Sequence, residues 1–422
     1  MDPQIALREC PGCRGPIAQA TGFPTWCDRC EWGLVETEPP AEPGFLGRRF
    51  QARSARMVQR LYEDVARSPA RRTGWNVARA ASYVLALAVH AFTLGLVVLA
   101  LWLVVAVPDF LTIVLAMVAL LVAFAIRPRF GNLRKTSEVL HRDDAPALFA
   151  LLDRVAAEVG AKPVHAVVPT GDFNAGYAGV GIRRRRVLIL GLPLWEALSP
   201  LQKVAILGHE FGHGVNGDAR NGLIVGTSLS TLERLQDLLR PGPRDYRMNY
   251  VVHVLLRLVQ ATLSGVLGLL LVLQSLLWLR DNQRAEYYAD DLAGRLASPA
   301  EVAAAFDLLI TAHDTYQFVV ERLTFAAQTT DFWAEWRKAL AALPESERER
   351  RRRVAARREL RVDSSHPPTH LRIAVMRSRP AAEPALLLRP DEEARIRAEL
   401  DADYTRIARR LRDAATTRMY YG

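Results

Sequence analysis

His209-Glu210-Phe211-Gly212-His213 is the stretch on which the rest of this chain turns. On an α-helix, positions i and i+4 share a face. Two imidazoles at that spacing can hold one metal ion while the intervening Glu reaches a water on it. The flanks favour a helix. Ser199 suits the N-cap, Pro200 the first helical position, and Gln202 stands three residues after the cap. Val204, Leu207 and Phe211 supply an apolar stripe. A hydrolytic zinc site needs a third protein donor and keeps its fourth position for water. Glu286, in Arg284-Ala285-Glu286-Tyr287-Tyr288-Ala289-Asp290, is the candidate. Asp290 lies on the same helical face, where one carboxylate ligates and the other orients an imidazole. Taken alone, the pair reads equally well as two surface carboxylates.

With these motifs the sequence resembles the HtpX-like membrane zinc metallopeptidases, family 48 of the metallopeptidases, and their CAAX prenyl protease relatives. Two more stretches carry the likeness. Asn174-Ala175-Gly176-Tyr177 precedes the strand-like Val187 to Leu192, and Ser365-His366-Pro367-Pro368 runs into Thr369-His370-Leu371-Arg372-Ile373. The resemblance implies zinc ligands at His209, His213 and Glu286, a general base at Glu210, and an orienting carboxylate at Asp290. His366 and Arg372 are then expected near the site, stabilising the oxyanion or ordering the cleft. Asn174 and Ala175 are expected on an edge strand that an extended substrate joins through main-chain hydrogen bonds. The implied reaction is hydrolysis of peptide bonds in membrane or misfolded proteins, by Glu-assisted attack of zinc-bound water.

Outside this region the chain is punctuated by cysteines and apolar runs. All four cysteines lie near the start, as Cys10-Pro-Gly-Cys13 and Cys27-Asp-Arg-Cys30. Two such knuckles bring four thiolates around one structural zinc, a closed ribbon, with Gly12, Gly15 and Gly33 supplying tight backbone. A pair of disulfides is the competing reading. The start of the chain shows no apolar secretory core, which favours reduced thiols and zinc. Glu38 to Gly44 reads as a linker, followed by an arginine-rich segment to residue 79.

Ala80 to Val107 and Phe110 to Ile126 carry no formal charge, and both are long enough for a bilayer core, the second only just, with a buried soluble hairpin as the competing reading. No basic residue stands between them. Arg127, Arg129, Arg134 and Lys135 follow at once, so the positive-inside rule puts the N-terminus and everything after residue 127 in the cytoplasm of a multi-pass cell-membrane protein. A third uncharged run, Leu258 to Leu279, creates a parity problem: His209 and Glu286 must share a compartment. A returning span starting at Asn221 is interrupted by Glu233, Arg234 and Asp237, and it would put Arg240, Arg244 and Arg247 outside. Either that stretch is a poor fourth span or Leu258 to Leu279 dips into protein and lipid without traversing; four crossings are the expectation adopted.

The 422 residues carry 55 Lys and Arg against 45 Asp and Glu, a net +10 that suits an anionic membrane surface or a nucleic acid without choosing between them. Arg183 to Arg186 are expected in a hairpin turn. No aromatic interleaving accompanies them, so no nucleic-acid partner is expected. The charged run Glu345 to Arg361 reads as a solvated helix, and the residues from Asp391 as a packing helix. The expected fold is mainly α with a small β-sheet, a zincin-like metallopeptidase domain with integral membrane helices, and a small N-terminal zinc ribbon. The expected division is a ribbon (1–38), a linker and basic juxtamembrane segment (39–79), a transmembrane hairpin (80–126), and a peptidase domain (127–422) with a membrane-associated region at 221–279. Two zinc ions, polypeptide substrates and a lipid bilayer are the expected partners. The competing function is an inactive, membrane-anchored zinc-ribbon adaptor that binds proteins.

Overall fold

The computed structural model describes residues 5–34, 45–72, 74–128, 138–181, 183–216, 222–239, 250–323, 331–359 and 366–421. The linker Glu38 to Gly44 lies outside them, as do Arg129, Arg134, Lys135, Asn221, Arg240, Arg244, Arg247, Arg361 and Ser365.

Strands β1 (Ile5–Glu9) and β2 (Pro16–Ala20) form an antiparallel pair. Helices α1 (Phe45–Arg67), α2 (Val77–Ala106), α3 (Phe110–Ile126) and α4 (Pro146–Val159) follow. Strands β3 (Ala166–Thr170), β4 (Ala175–Val180) and β5 (Arg185–Gly191) precede α5 (Leu192–Ala197) and α6 (Pro200–Asn216). A π-helical turn, Gly222–Gly226, leads into α7 (Thr227–Leu238), and α8 (Tyr250–Ala297) is 48 residues long. Then come α9 (Pro299–Arg322), α10 (Phe332–Ala341), α11 (Glu345–Glu359) and α12 (Thr369–Ser378), and last α13 (Pro390–Glu399) and α14 (Asp401–Tyr421). The segment from Asp391 is therefore two helices rather than one.

The chain divides into two compact units. One comprises Met1–Arg72, Leu133–Asn216 and Gln283–Gly422, the other Thr73–Asn132 and Gly217–Asn282. In the first, a three-stranded sheet has the order β3-β5-β4, with β3 parallel and β4 antiparallel to β5. β4 is thus an edge strand. Its hairpin turn holds Arg183 and Arg184, whereas Arg185 and Arg186 already belong to β5. Arg186 Nε donates to the Pro163 carbonyl at 2.7 Å. Leu148, Phe149, Leu188, Phe211 and Phe306 are fully buried in one core shared by α4, the sheet, α6 and α9.

Helix α6 begins as its sequence requires. Gln202 N–H donates to Ser199 Oγ at 3.3 Å and Ser199 N–H donates to Gln202 Oε1 at 3.1 Å, a reciprocal capping box. The charged helix α11 is not the solvated rod its composition suggests. Glu347 and Arg351 are buried, and Arg352 grips Asp307 on α9 through two bonds of 2.6 and 2.8 Å. A periodicity argument cannot see partners supplied by distant segments, and here they neutralise the run.

In the second unit α2 packs along α3, and α7 lies against both. Thr231 Oγ1 donates to the Ile126 carbonyl and Arg234 to that of Arg127, closing the open end of α3. Two helices, Val77–Ala106 and Tyr250–Ala297, are long and apolar enough to cross a membrane, and α3 is a shorter apolar helix of 17 residues. Much of their apolar surface is exposed, including Phe92, Leu94, Trp102, Leu121 and Leu269. The apolar run Leu258 to Leu279 and the residues Glu286 and Asp290 fall on one uninterrupted helix.

Candidate metal centres

Two helices carry the first centre, and small residues let them approach. A Cβ on Gly212 would stand 2.8 Å from Ala289 Cβ, and one on Gly208 would meet Leu296 Cδ2 at 2.9 Å and Ala293 Cα at 3.2 Å. The Gly208/Gly212 stripe of α6 therefore seats the turn of α8 that holds Glu286 and Asp290. These glycines escaped the sequence reading. Their i, i+4 spacing beside the histidines was the available signal.

The approach brings His209, His213 and Glu286 together, with one donor atom from each inside 4.8 Å. The two Nε2 atoms are 3.2 Å apart, and the Glu286 oxygens lie 3.5 Å from His209 Nε2 and 3.6 Å from His213 Nε2. A tetrahedral zinc with nitrogen and oxygen ligands has edges of roughly 3.3 Å. Glu286 is 2% exposed, and among the described residues its Oε2 has no hydrogen-bond partner, the Arg372 Nη2 standing off at 3.6 Å. A buried carboxylate oxygen left in that state is costly unless a cation takes it. Two imidazoles and one carboxylate make a donor set that zinc accepts, so the residues fit the ion.

Asp290, fully buried, accepts from His209 Nδ1 at 2.9 Å and from Arg372 Nε and Nη2 at 2.9 and 2.6 Å. The first bond fixes the proton on Nδ1 and leaves the His209 Nε2 lone pair facing the cluster. Burial works against the Arg372 charge, but Asp290 and Glu286 outweigh it and hold the guanidinium protonated. Arg372 also stacks 4.0 Å above the Phe306 ring, and that ring meets His209 edge-on at 5.8 Å. His366 is half exposed, with Nδ1 2.8 Å from Glu286 Oε1.

Glu210 points to the sheet edge, where Tyr177 N–H donates to its Oε2 at 2.9 Å. Gly191 N–H bonds the Asn174 carbonyl, and the β4–β5 register continues from there. Alternation then turns the main-chain groups of Ala175, Tyr177 and Gly179 outward. Ala175 thus offers outward main-chain groups, whereas Asn174 spends its carbonyl on β5. Tyr177, to which the sequence motif assigned no role, is a strand residue that bonds Glu210.

The second centre is local in sequence. Cys10, Cys13, Cys27 and Cys30 place their sulfurs within 4.8 Å, with Cys10–Cys30 and Cys13–Cys27 at 3.6 Å. Edges of a zinc–thiolate tetrahedron are roughly 3.8 Å. Backbone N–H groups of Cys30 and Arg29 draw the Cys27 thiol down to about 7 against the opposing effect of burial, whereas Cys30, although the Trp32 N–H draws it down, is pushed up to about 12 by burial and its three neighbouring sulfurs. The left-handed positions of the knuckles fall on Arg14 (φ 56°) and Glu31 (φ 60°). Of the three glycines expected to relax this backbone, only Gly33 has positive φ, and a Cβ there would stand 2.4 Å from the Thr25 carbonyl. Gly12 and Gly15 matter through space instead, lying close to Cys30 Sγ and Arg29.

A helix bearing two histidines and a glutamate, a carboxylate from a second helix, and an edge strand beside them make up the architecture of a metal-dependent peptidase. Peptidase family M48 matches residues 143–380, more than half of the chain, and the chain belongs to that family. It is a metallopeptidase, and metallopeptidases of this family use zinc. The matched span holds all residues of the first centre and none of the four cysteines. No curated protein and no solved structure gave a match.

Proposed function

We propose that this metallopeptidase is a multi-pass membrane zinc endopeptidase that hydrolyses peptide bonds of membrane or misfolded proteins at the cytoplasmic face. The observation that carries the reading is the convergence of His209, His213 and Glu286 beside an edge strand whose Tyr177 N–H already engages Glu210. His209, His213 and Glu286 hold the catalytic zinc. Cys10, Cys13, Cys27 and Cys30 hold a structural one, with no open position. At the catalytic centre a bound zinc supplies Lewis acidity, making water a better nucleophile and the scissile carbonyl a better electrophile.

The chain's own residues do the rest. An extended substrate strand pairs with the outward groups of Ala175 and Gly179, which reads main chain rather than side chain and gives broad specificity. Glu210 takes the proton of the attacking water and passes it to the leaving amine. Its bond to Tyr177 fixes the carboxylate beside the strand. Asp290 sets the His209 tautomer, and Arg372 holds Asp290. Arg372 donates to Asp290 and lies 3.3 Å from both ring nitrogens of His209, so it orders the cleft, whereas half-exposed His366 stands where it can meet substrate oxygen.

Four crossings agree with the contacts inside the helical unit. Asp281 pairs with Asn76 and Arg79 at the start of α2. Gln274 bonds Ser228, and Gly268 lies beside Gln236, so α7 and α8 run antiparallel. This out-and-back course of α7 and α8 from the Asp281 end supports the even parity that His209 and Glu286 need. Proteolysis of an unfolded polypeptide by the purified protein tests the reading. Glu210→Gln is expected to lower kcat by about 10²- to 10⁴-fold with zinc retained. Activity that survives this change, or that survives chelation, refutes it.

A further inference from the structure

Consecutive arginines on a helix advance by about 100° each, so a run of four faces every direction. On α11, Arg351 donates to the Thr311 carbonyl and to Thr315 Oγ1, and Arg352 grips Asp307; all three partners lie on α9. Arg353 faces the other way. Its Nη1 donates to the Asp28 carbonyl at 2.6 Å and stands 3.5 Å from Glu31 Oε1, and its guanidinium lies 5.1 Å over the Trp26 ring. Arg357 pairs with Glu31 as well. Trp26 Nε1 donates to the Ser346 carbonyl at 3.1 Å, and Trp26, Leu34 and Val354 form a small apolar cluster. Helix α11 is therefore held by the cysteine ribbon on one side and by α9 on the other.

The α9 side leads to the peptidase centre. Asp307, gripped by Arg352, adjoins Phe306, whose ring packs against His209 and under Arg372. Close-packed helices shift as bodies rather than deforming smoothly, so a change in α11 is felt at Phe306.

We infer that the ribbon is a positioning element for the peptidase centre: Trp26, Asp28 and Glu31 hold α11, and α11 holds the face of α9 on which His209 and Arg372 rest. Neither Glu31 nor Arg353 touches substrate; both act through Phe306. This rests on the peptidase reading above, and it gives the ribbon a partner inside its own chain.

The test uses the full-length protein and the variants Arg353→Glu, Glu31→Arg and the two together, with Cys13→Ser as a fourth. Each is measured for zinc per chain, for kcat and KM on an unfolded polypeptide, and for hydrogen exchange of the amides between Ala303 and Ala312. Either single reversal should lower kcat roughly tenfold at unchanged KM, because a small misplacement of the reacting groups costs rate rather than binding. It should also speed exchange in α9 and leave the zinc content at the wild-type value. The paired reversal should restore both in part, because a carboxylate at 353 cannot donate to the Asp28 carbonyl and a guanidinium at 31 faces Arg357. Cys13→Ser should lose the ribbon zinc and reproduce the fall in kcat. Wild-type kcat and exchange in the single variants, or no recovery in the pair, overturns the inference. Should the wild type cleave nothing, the peptidase reading fails, and exchange decides the ribbon's role: unchanged α9 protection in Arg353→Glu sinks it.

Discussion

The two candidate metal centres are built on opposite plans. The cysteine cluster takes all four donors from one span of 21 residues, on loops whose backbone is bent at Arg14, Glu31 and Gly33. The His209 cluster takes three donors from two rigid helices whose ligating turns are 73 residues apart, and a carboxylate and a guanidinium are buried behind it. Four soft donors complete a tetrahedron and leave nothing for chemistry, whereas three leave a direction for water or substrate. A closed site is a local sequence property. An open one needs a second layer to stop its ligands from collapsing on one another, and here Asp290, Arg372 and Phe306 supply that layer.

The comparison breaks most readily at that layer. Arg372→Met leaves Asp290 buried without its guanidinium, with only His209 Nδ1 opposite it, and removing one member of such a pair costs about 3–5 kcal/mol. Thermal unfolding should show a large fall in Tm, and zinc affinity at the catalytic centre should weaken by roughly 10- to 100-fold, with the ribbon zinc unaffected. If Tm and affinity stay at wild type, the buried pair is not what fixes His209. Gly212→Ala comes next. Its methyl would press on Ala289, and overpacking of this kind costs about 1–3 kcal/mol. Catalytic zinc should be lost with it, because the two ligating helices are pushed apart; zinc retained at wild-type affinity would show that α6 can move aside freely. Ala175→Pro removes one outward N–H from the edge strand and should raise KM about fivefold with kcat preserved. An unchanged KM means that substrate does not pair there. The smallest effect is expected in the ribbon. Arg14→Gly relieves a left-handed residue, a strain of roughly 1–2 kcal/mol that the added chain entropy of glycine offsets in part. Chemical denaturation should show a ribbon more stable by up to about 1 kcal/mol, and a destabilised ribbon would mean that Arg14 is not strained.

The same contrast explains what could be read before any coordinates. The paired histidines, the capping box at Ser199 and the two cysteine knuckles are short-range patterns, and each stands where its spacing puts it. Glu286 needed the family likeness, because a carboxylate pair on one helix face has no signature of its own. What stayed hidden was set by segments far apart in sequence. The arginines of α11 looked solvated until Asp307, Thr311 and Glu31 were seen opposite them. Gly208 and Gly212 looked incidental until Ala289 and Ala293 filled the space above them. Tyr177 stood out only as part of the family-like stretch, although its N–H holds Glu210. The single helix joining an apolar run to Glu286 and Asp290 was also hidden, since charge and apolarity divide that stretch in two.

Zinc counted per chain by elemental analysis, on the full-length wild type and on Glu286→Ala, tests the central claim most directly. Two ions in the wild type and one in the variant are expected, the survivor being the one held by cysteines. Two ions retained in Glu286→Ala, at undiminished affinity, would contradict the assignment of this carboxylate, and with it the metal centre on which the proposed reaction depends.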